Sequence, residues 1–341
     1  MVKYVIGLDH GNGWVKVETA ERQIVLPSYL ARKDEVGDSI AGASSLDLKE
    51  YELPGIKGTA FVWGEDVTKL KHVVATYGVQ NRYNQETYQA LSKFAIAEAL
   101  PDENVLDDVL LVTGVPSIEV ATEKEQQLRE VFEGAHIVRI NGKDKVIRIN
   151  RVVVISQPLG AVLSRYLDEE GYVADDRYET DSVAVIDIGT GTTDLDHVKA
   201  LRRISAECHS VPFGMFDVYK RIAAWINKKN PDARATPQSV ELQFRQDHYE
   251  VSKRISYDIR DIKELAVKEV AAEITTAISQ HWKSFDVFDE ILITGGGATQ
   301  LGKTLEKMIP GSIVLENPQT ANAEGFFKYG QFIAGDDGDG K

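Results

Sequence analysis

Two short turns, half a chain apart, constrain this sequence more than anything else in it. An apolar run at residues 2–8 ends in Asp9-His10-Gly11-Asn12-Gly13 and passes into a second extended run at 14–19. Another apolar run, at 183–188, ends in Asp187-Ile188-Gly189-Thr190-Gly191 and passes into an extended run at 192–199. Short apolar runs bounded by glycine-rich turns read as buried strands. The two aspartates lie 178 positions apart in 341 residues, so the chain reads as two halves built on one plan. Either turn alone reads as a structural hairpin. Together, facing each other across a cleft, they would form a phosphate clamp. Glycines let backbone N–H groups approach phosphate oxygens, and a strand-end aspartate can hold hydrated Mg²⁺.

A competing motif lies near the other end. Residues 297–304, GATQLGKT, match the phosphate-loop pattern G-x-x-x-x-G-K-[ST], after an apolar run and before a helical one. A phosphate-loop fold needs further strands after its motif, including one ending in a metal-binding aspartate. Only 37 residues follow Thr304 here, with one short strand. Lys303 is therefore expected to be dispensable for nucleotide binding, and Asp187 essential.

The rest of the pattern is that of an α/β chain. A third strand is expected at Gln23–Pro27, then a polar, glycine-rich inserted subdomain at about 28–70 with short strands such as 59–62. Helical spacing follows at 86–100, a strand at 108–113, a helix at 118–132, a hairpin at 135–149 around Asn141-Gly142, and a strand at 152–156. Gln157-Pro158-Leu159-Gly160-Ala161 opens a helix to about residue 168. In the second half the sequence predicts a third strand at 200–209 and helices at 216–227 and 255–282. It then predicts a strand at Glu290–Thr294, a helix at 301–308, a strand at 313–315, a helix at 321–332 and a disordered tail at 334–341.

The net charge of −14 argues against direct DNA or RNA binding. The single cysteine, Cys208, fits a reducing cytoplasm. No apolar run has the length of a membrane span, and no segment reads as a membrane anchor.

Several residues carry chemistry. Lys16, three places after Gly13, is either placed to reach β- or γ-phosphate oxygens or is a solvated strand lysine. His10 shows no ligand spacing with other His or Cys and reads as structural. Gly295-Gly296-Gly297 either lets a flat ring or a phosphate lie against the backbone or forms a plain turn.

At these residues the chain resembles the actin and chaperone ATPase superfamily, over nearly its full length and in the expected order. The first phosphate motif is matched by Asp9 through Lys16, and the first connecting motif by Gln157 through Ala161. The second phosphate motif is matched by Asp187 through Thr192, the adenosine motif by residues 291–298, and the second connecting motif by Asn322 through Gly325. Within the superfamily the length and the stretch ANAEGFFKYG at 321–330 are most similar to ParM-type plasmid-segregation actins. His10 departs from a usually apolar position, and Asn12 stands where Ser or Thr is common in other branches.

The resemblance implies an α/β, actin-like two-domain ATPase: duplicated ribonuclease-H-like domains with a nucleotide cleft between them. Domain I would hold 1–160 plus 321–341, with the insert at 28–70; domain II would hold 161–320, with an insert at about 212–280. The connecting helices at 157–168 and 321–332 would form a hinge. The implied cofactors are ATP, or GTP, with Mg²⁺ at Asp9 and Asp187. Backbone groups of Gly11, Asn12 and Gly13, and of Gly189, Thr190, Gly191 and Thr192, would hold phosphates with Lys16. Gly295, Gly296 and Gly297 would flank the adenosine, and Gly214 with Asp217 the ribose. Gln157 resembles the residue that positions the attacking water; its alternative role is to cap the helix opened by Pro158. The implied function is ATP-dependent assembly into filaments that move plasmid DNA through a DNA-binding adaptor, with slow hydrolysis and no membrane contact. The rivals are a MreB-like or other bacterial cytoskeletal actin, a small-molecule kinase of the same fold, and a chaperone ATPase domain.

Overall fold

The computed structural model describes residues 2–36, 46–55, 59–70, 72–76 and 82–339, with side chains as far as residue 335. The chain divides into two compact units, Met1–Arg177 with Thr320–Lys341, and Tyr178–Gln319.

The first unit is built on a sheet whose strands are, in chain order, β1 (Tyr4–His10), β2 (Trp14–Glu18), β3 (Gln23–Pro27), β4 (Tyr29–Arg32), β5 (Lys49–Glu52), β6 (Ala60–Trp63), β7 (Val74–Ala75), β8 (Val105–Val115), β9 (Gly134–Ile140) and β10 (Lys143–Ser156). They pair in the order β3-β2-β1-β8-β10-β9-β5-β6-β4-β7. The helices are α1 (Lys33–Val36), α2 (Glu86–Ala99), α3 (Glu123–Phe132), α4 (Gln157–Tyr166) and the last helix of the chain, Ala321–Asp339. β1 runs antiparallel to β2 and parallel to β8, which is parallel to β10. The described strands of the expected insert are not a separate layer: β5 pairs with β9, so β4, β5 and β6 continue the main sheet. Residues 37–45 and 56–58 of that stretch lie outside the described residues.

Two sequence expectations change here for identifiable reasons. The hairpin and the separate strand expected at 135–156 are one hairpin, because β10 runs unbroken for 14 residues. Its pairing with β8 shifts between Ile147 and Ile149 and again between Ile149 and Arg151, and such bulges disturb the period-2 pattern used to recognise a strand. The last helix also continues through the stretch expected to be disordered, as far as Asp339. A helix already nucleated crosses an occasional glycine at a cost of about 1 kcal/mol.

That last helix lays Phe326 and Phe327 on Val5, Leu110 and Val112 of the sheet. It also meets α4 at unusually short range: a Cβ on Gly325 would stand 1.8 Å from the Gly160 carbonyl oxygen. Only a glycine pair permits that approach. This docking keeps α4 and the residues after it in the first unit, so the division falls at 177/178 rather than at the expected 160/161.

The second unit contains β11 (Ser182–Ile188), β12 (Thr193–Lys199), β13 (Arg202–Arg203), β14 (His209–Val211), α5 (Met215–Lys229), α6 (Pro237–Gln243), β15 (His248–Ser252), β16 (Ile255–Asp258), α7 (Arg260–His281), β17 (Glu290–Thr294), α8 (Ala298–Met308) and β18 (Ser312–Val314). Its main sheet runs β13-β12-β11-β17-β18, with β14 also on β12. β11 is antiparallel to β12 and parallel to β17, which is parallel to β18. This repeats the β3-β2-β1-β8-β10 core of the first sheet, strand for strand and direction for direction, as the duplicated turns predict. The apolar faces of α5, α7 and α8 close one core over β11 and β17, with Ile222, Ile274, Leu301 and Ile186 fully buried.

The strand expected at 200–209 begins only at Arg202, after Ala200 and Leu201 take left-handed backbone angles, φ 50° and 56°, and a 3-10 turn at Ser205–Glu207 then splits it into β13 and β14. The helix expected from residue 255 starts only at Arg260: residues 255–258 pair with β15, and the Asp258 carboxylate accepts the Arg260 backbone N–H at 3.0 Å. Among the described residues no helix is long and apolar enough to cross a membrane.

Candidate functional site

The strand pairing determines what each turn can offer. In the first unit Asp9 stands directly opposite Lys16 across the β1–β2 ladder. Side chains directly opposite in an antiparallel pair point to the same face, and the Lys16 ammonium donates to Asp9 Oδ2 at 2.8 Å. Both side chains are buried, at 8% and 5% exposure, so this is a desolvated ion pair. The other carboxylate oxygen, Oδ1, accepts the Gln157 amide at 2.7 Å. Gln157 is the first residue of α4, after the N-cap Ser156. Its side chain is thus spent on Asp9, 148 positions away, and does not cap its own helix. Asp9, Lys16 and Gln157 form one polar cluster, buried at Asp9 and Lys16 and half-buried at Gln157.

His10 shares this neighbourhood without joining the cluster. Its ring bonds Ser92 Oγ at 2.6 Å through Nδ1 and Thr76 Oγ1 at 3.2 Å through Nε2, and stacks on Tyr88 at 4.1 Å. Ser92 and Tyr88 lie one helical turn apart on α2 and so share a face. Burial, with Arg82 and Lys16 nearby, holds the His10 ring well below its ordinary protonation range. The same burial pushes the Tyr88 hydroxyl up to about 12. The structural reading of His10 therefore agrees with its surroundings.

The first turn is pinned through its carbonyls. Ser28 donates its hydroxyl to the Gly11 oxygen at 2.8 Å and its backbone N–H to the Gly13 oxygen at 2.9 Å. Carbonyl and following N–H point to opposite sides of a trans peptide. Tying back the Gly11 carbonyl thus turns the N–H group of Asn12 the other way. Arg82 adds a contact the sequence did not reveal: its guanidinium donates to Asn12 Oδ1 at 3.1 Å.

The second turn uses the same device. The N–H groups of Met215 and Phe216, at the start of α5, donate to the carbonyls of Gly189 and Thr190 at 3.2 and 2.6 Å, which turns the N–H groups of Thr190 and Gly191 away. The Gly189 N–H is itself occupied, closing the turn on the Thr192 carbonyl at 2.8 Å. Gly214 is the N-cap of α5, and Asp217 accepts the Gly214 N–H at 3.1 Å. Asp217 also accepts Lys220 at 3.1 Å, so its carboxylate serves the start of the helix.

Here the two turns differ in charge. Opposite Asp187 in the β11–β12 register stands Asp194, not a lysine, and Asp194 is buried. Two carboxylates on the same face of a strand pair repel, and a bound cation relieves that repulsion. The donor set suits Mg²⁺, which takes one or two carboxylates and fills its remaining positions with water and phosphate oxygens. Among the described residues no group of three or more His, Cys, Asp and Glu side chains could hold a metal by itself.

The three glycines after β17 are not equivalent. Gly295 has φ +90°, and a Cβ there would lie 2.2 Å from Asp187 Oδ1. Gly297 donates its N–H to the Ile188 carbonyl at 2.8 Å. Only Gly296 has open space where a Cβ would go. Two of the three glycines thus let β17 turn close beside Asp187, and one leaves a free surface. The phosphate-loop match ends here: α8 runs from Ala298 to Met308, so the residues that would cradle a phosphate are helical. The Lys303 side chain, 78% exposed, pairs with Glu306 at 3.0 Å.

Residues 7–160 match the N-terminal domain of the actin like proteins, and residues 185–307 the C-terminal domain of the archaeal actin homologue, MreB-like family. Both halves of the chain carry actin-like family domains. A curated relative, the archaeal actin homologue of Thermoplasma acidophilum, is 25% identical over 94% of this chain and 97% of its own length. Among solved structures, apo pSK41 ParM is 25% identical with a TM-score of 0.75, covering 98% of both chains. A 15-stranded ParM filament from Clostridium botulinum is 19% identical with a TM-score of 0.79, over 97% of this chain and 99% of that one. An archaeal actin homologue in complex with ADP is 18% identical with a TM-score of 0.76, over 98% and 100%. The actin-like fold accounts for the two repeated sheets and for the placement of both connecting motifs, on α4 and on the last helix.

Proposed function

We propose that this actin-like protein binds ATP with Mg²⁺, hydrolyses it slowly, and assembles with copies of itself into filaments. The observation that carries the reading is the repeated strand–aspartate–turn–strand unit, each turn with its carbonyls tied back and its remaining N–H groups directed away from the tether. Such N–H groups suit phosphate oxygens. The ADP complex of one similar structure and the filament of another support the same reading.

In this proposal the phosphates engage Gly11, Asn12 and Gly13 in one unit and Thr190, Gly191 and Thr192 in the other, with Lys16 adding charge. Asp187 is the principal carboxylate for the metal, and Asp9 assists through water. Gly296 offers the open backbone for the adenosine, flanked by Gly295 and Gly297; Gly214 and Asp217 mark the ribose side. When bound, magnesium would neutralise phosphate charge. Gln157 orients the attacking water: its amide is already directed at Asp9, and an amide can hold water but is a poor proton acceptor. Turnover is therefore slow.

Plasmid DNA is proposed as the cargo, held through a DNA-binding adaptor, since the net charge of −14 disfavours direct contact. A second reading, a cytoskeletal actin without plasmid cargo, is favoured by the archaeal relative, which covers 94% of the chain. Light scattering and negative-stain microscopy with ATP, GTP and ADP test assembly. Filaments with a triphosphate support the reading, and a monomer under all three conditions refutes it. Co-sedimentation with an adaptor–DNA complex separates the two cargo readings.

A further inference from the structure

We propose that Arg82 is a positioning residue that fixes the Asn12 side chain so that it presents amide hydrogens, not its oxygen, to the phosphates of a bound nucleoside triphosphate. This inference rests on the nucleotide-binding reading above.

Arg82 lies in a 3-10 turn at Arg82–Asn84, 70 positions from Asn12 in sequence. One guanidinium nitrogen donates to Asn12 Oδ1 at 3.1 Å and another to the Tyr83 hydroxyl at 3.2 Å. Arginine offers only donors and stays charged, so whichever end of the Asn12 amide meets it has to be the oxygen. The Nδ2 group, with two N–H bonds, is then the end left for a ligand. An asparagine free to rotate would offer either end, and an oxygen facing a phosphate would be repelled.

The guanidinium is itself held firmly. It lies 5.0 Å from the Tyr83 ring centroid and 5.7 Å from that of Tyr88. Tyr83 is fully buried, and its hydroxyl donates to Glu119 at 2.5 Å. Among the described residues no carboxylate lies within ion-pair distance of Arg82; Glu119 accepts the Tyr83 hydroxyl and acts on the guanidinium from beyond it. The second turn needs no such device. Thr190 holds the position of Asn12 there, and a hydroxyl both donates and accepts by rotating.

The test measures dissociation constants of adenosine, ADP and ATP for wild type, Arg82→Met, Asn12→Ala and the double variant, with melting of each nucleotide-free protein as a check on folding. Arg82→Met is expected to weaken ATP about 10-fold while adenosine changes by less than about 2-fold. In the Asn12→Ala background the same substitution should add less than about 2-fold, because its partner is already gone. Arg82→Lys keeps a charged donor and should recover part of the ATP affinity, with a loss of about 3-fold. If Arg82→Met does not fold, the lysine variant carries the same comparison: an ATP-selective loss that disappears in the Asn12→Ala background. Equal losses for adenosine and ATP, or an undiminished loss in that background, overturn the inference while leaving nucleotide binding intact. A wild-type protein that binds no triphosphate overturns the functional reading and the inference together.

Discussion

The Asp9 turn and the Asp187 turn share a backbone and differ at three places that matter. His10, Asn12 and Lys16 in the first correspond to Ile188, Thr190 and Asp194 in the second. In the first turn the aspartate is neutralised by a lysine 2.8 Å away and fixed by Gln157. In the second it faces another carboxylate in register. One duplicated scaffold thus carries different charges: a lysine–aspartate pair in one unit and two aspartates in register in the other. Sequence symmetry suggested equal metal ligands. The proposed division of labour puts the cation at Asp187 and a fixed positive charge beside Asp9.

Removing the positive charge from the first turn should have the largest effect. Lys16→Met leaves Asp9 buried without its cation, and losing one member of a buried pair costs about 3–5 kcal/mol. Chemical denaturation of the first unit should record that loss; an unchanged midpoint would mean the pair adds little and the contrast between the turns is superficial.

Next in size is Asp187→Ala, expected to weaken magnesium-dependent ATP binding by about 100-fold. Asp9→Ala should weaken it less, since that carboxylate is already engaged. Equal losses would restore the symmetric picture. Gln157→Ala separates binding from turnover: ATP affinity should hold within about 2-fold while phosphate release falls by about 100-fold. Release at the wild-type rate would remove Gln157 from the chemistry.

The smallest effect concerns His10, the titratable residue the second turn lacks. Its folded-state proton affinity is depressed by burial. The unfolded chain therefore takes up the proton first, and stability falls as pH drops below about 6.5. Unfolding midpoints measured between pH 7.5 and 5.5 (about 2 units) should decline more for wild type than for His10→Ile, which copies the second turn. Parallel declines would show that His10 does not control this slope.

Much of the fold was legible because the buried strands are apolar runs that stop at glycine turns, as at 183–188 and 290–294. The duplication followed from two aspartates at equivalent strand ends. Elements whose identity depends on tertiary pairing were misread. Ile255 to Asp258 carries apolar residues that also fit a helix, and only pairing with β15 makes it a strand. β5 belongs to the main sheet because of β9, about 90 residues away, and no local pattern marks that contact. At the site, each turn announced its own residues, while their partners came from far along the chain. Gln157 was selected by a motif, but its bond to Asp9 spans 148 positions. Arg82 sits in no motif, and Asp194 gains its meaning from register alone.

Nucleotide titration of three variants side by side tests the central claim most directly, because the phosphate-loop match at 297–304 and the paired aspartate turns make opposite forecasts. Calorimetric titration of Mg·ATP into Asp9→Ala, Asp187→Ala and Lys303→Ala should show weakened binding in the first two, more severely at Asp187, and wild-type affinity in the third. Binding abolished by Lys303→Ala and untouched by Asp187→Ala would contradict the account.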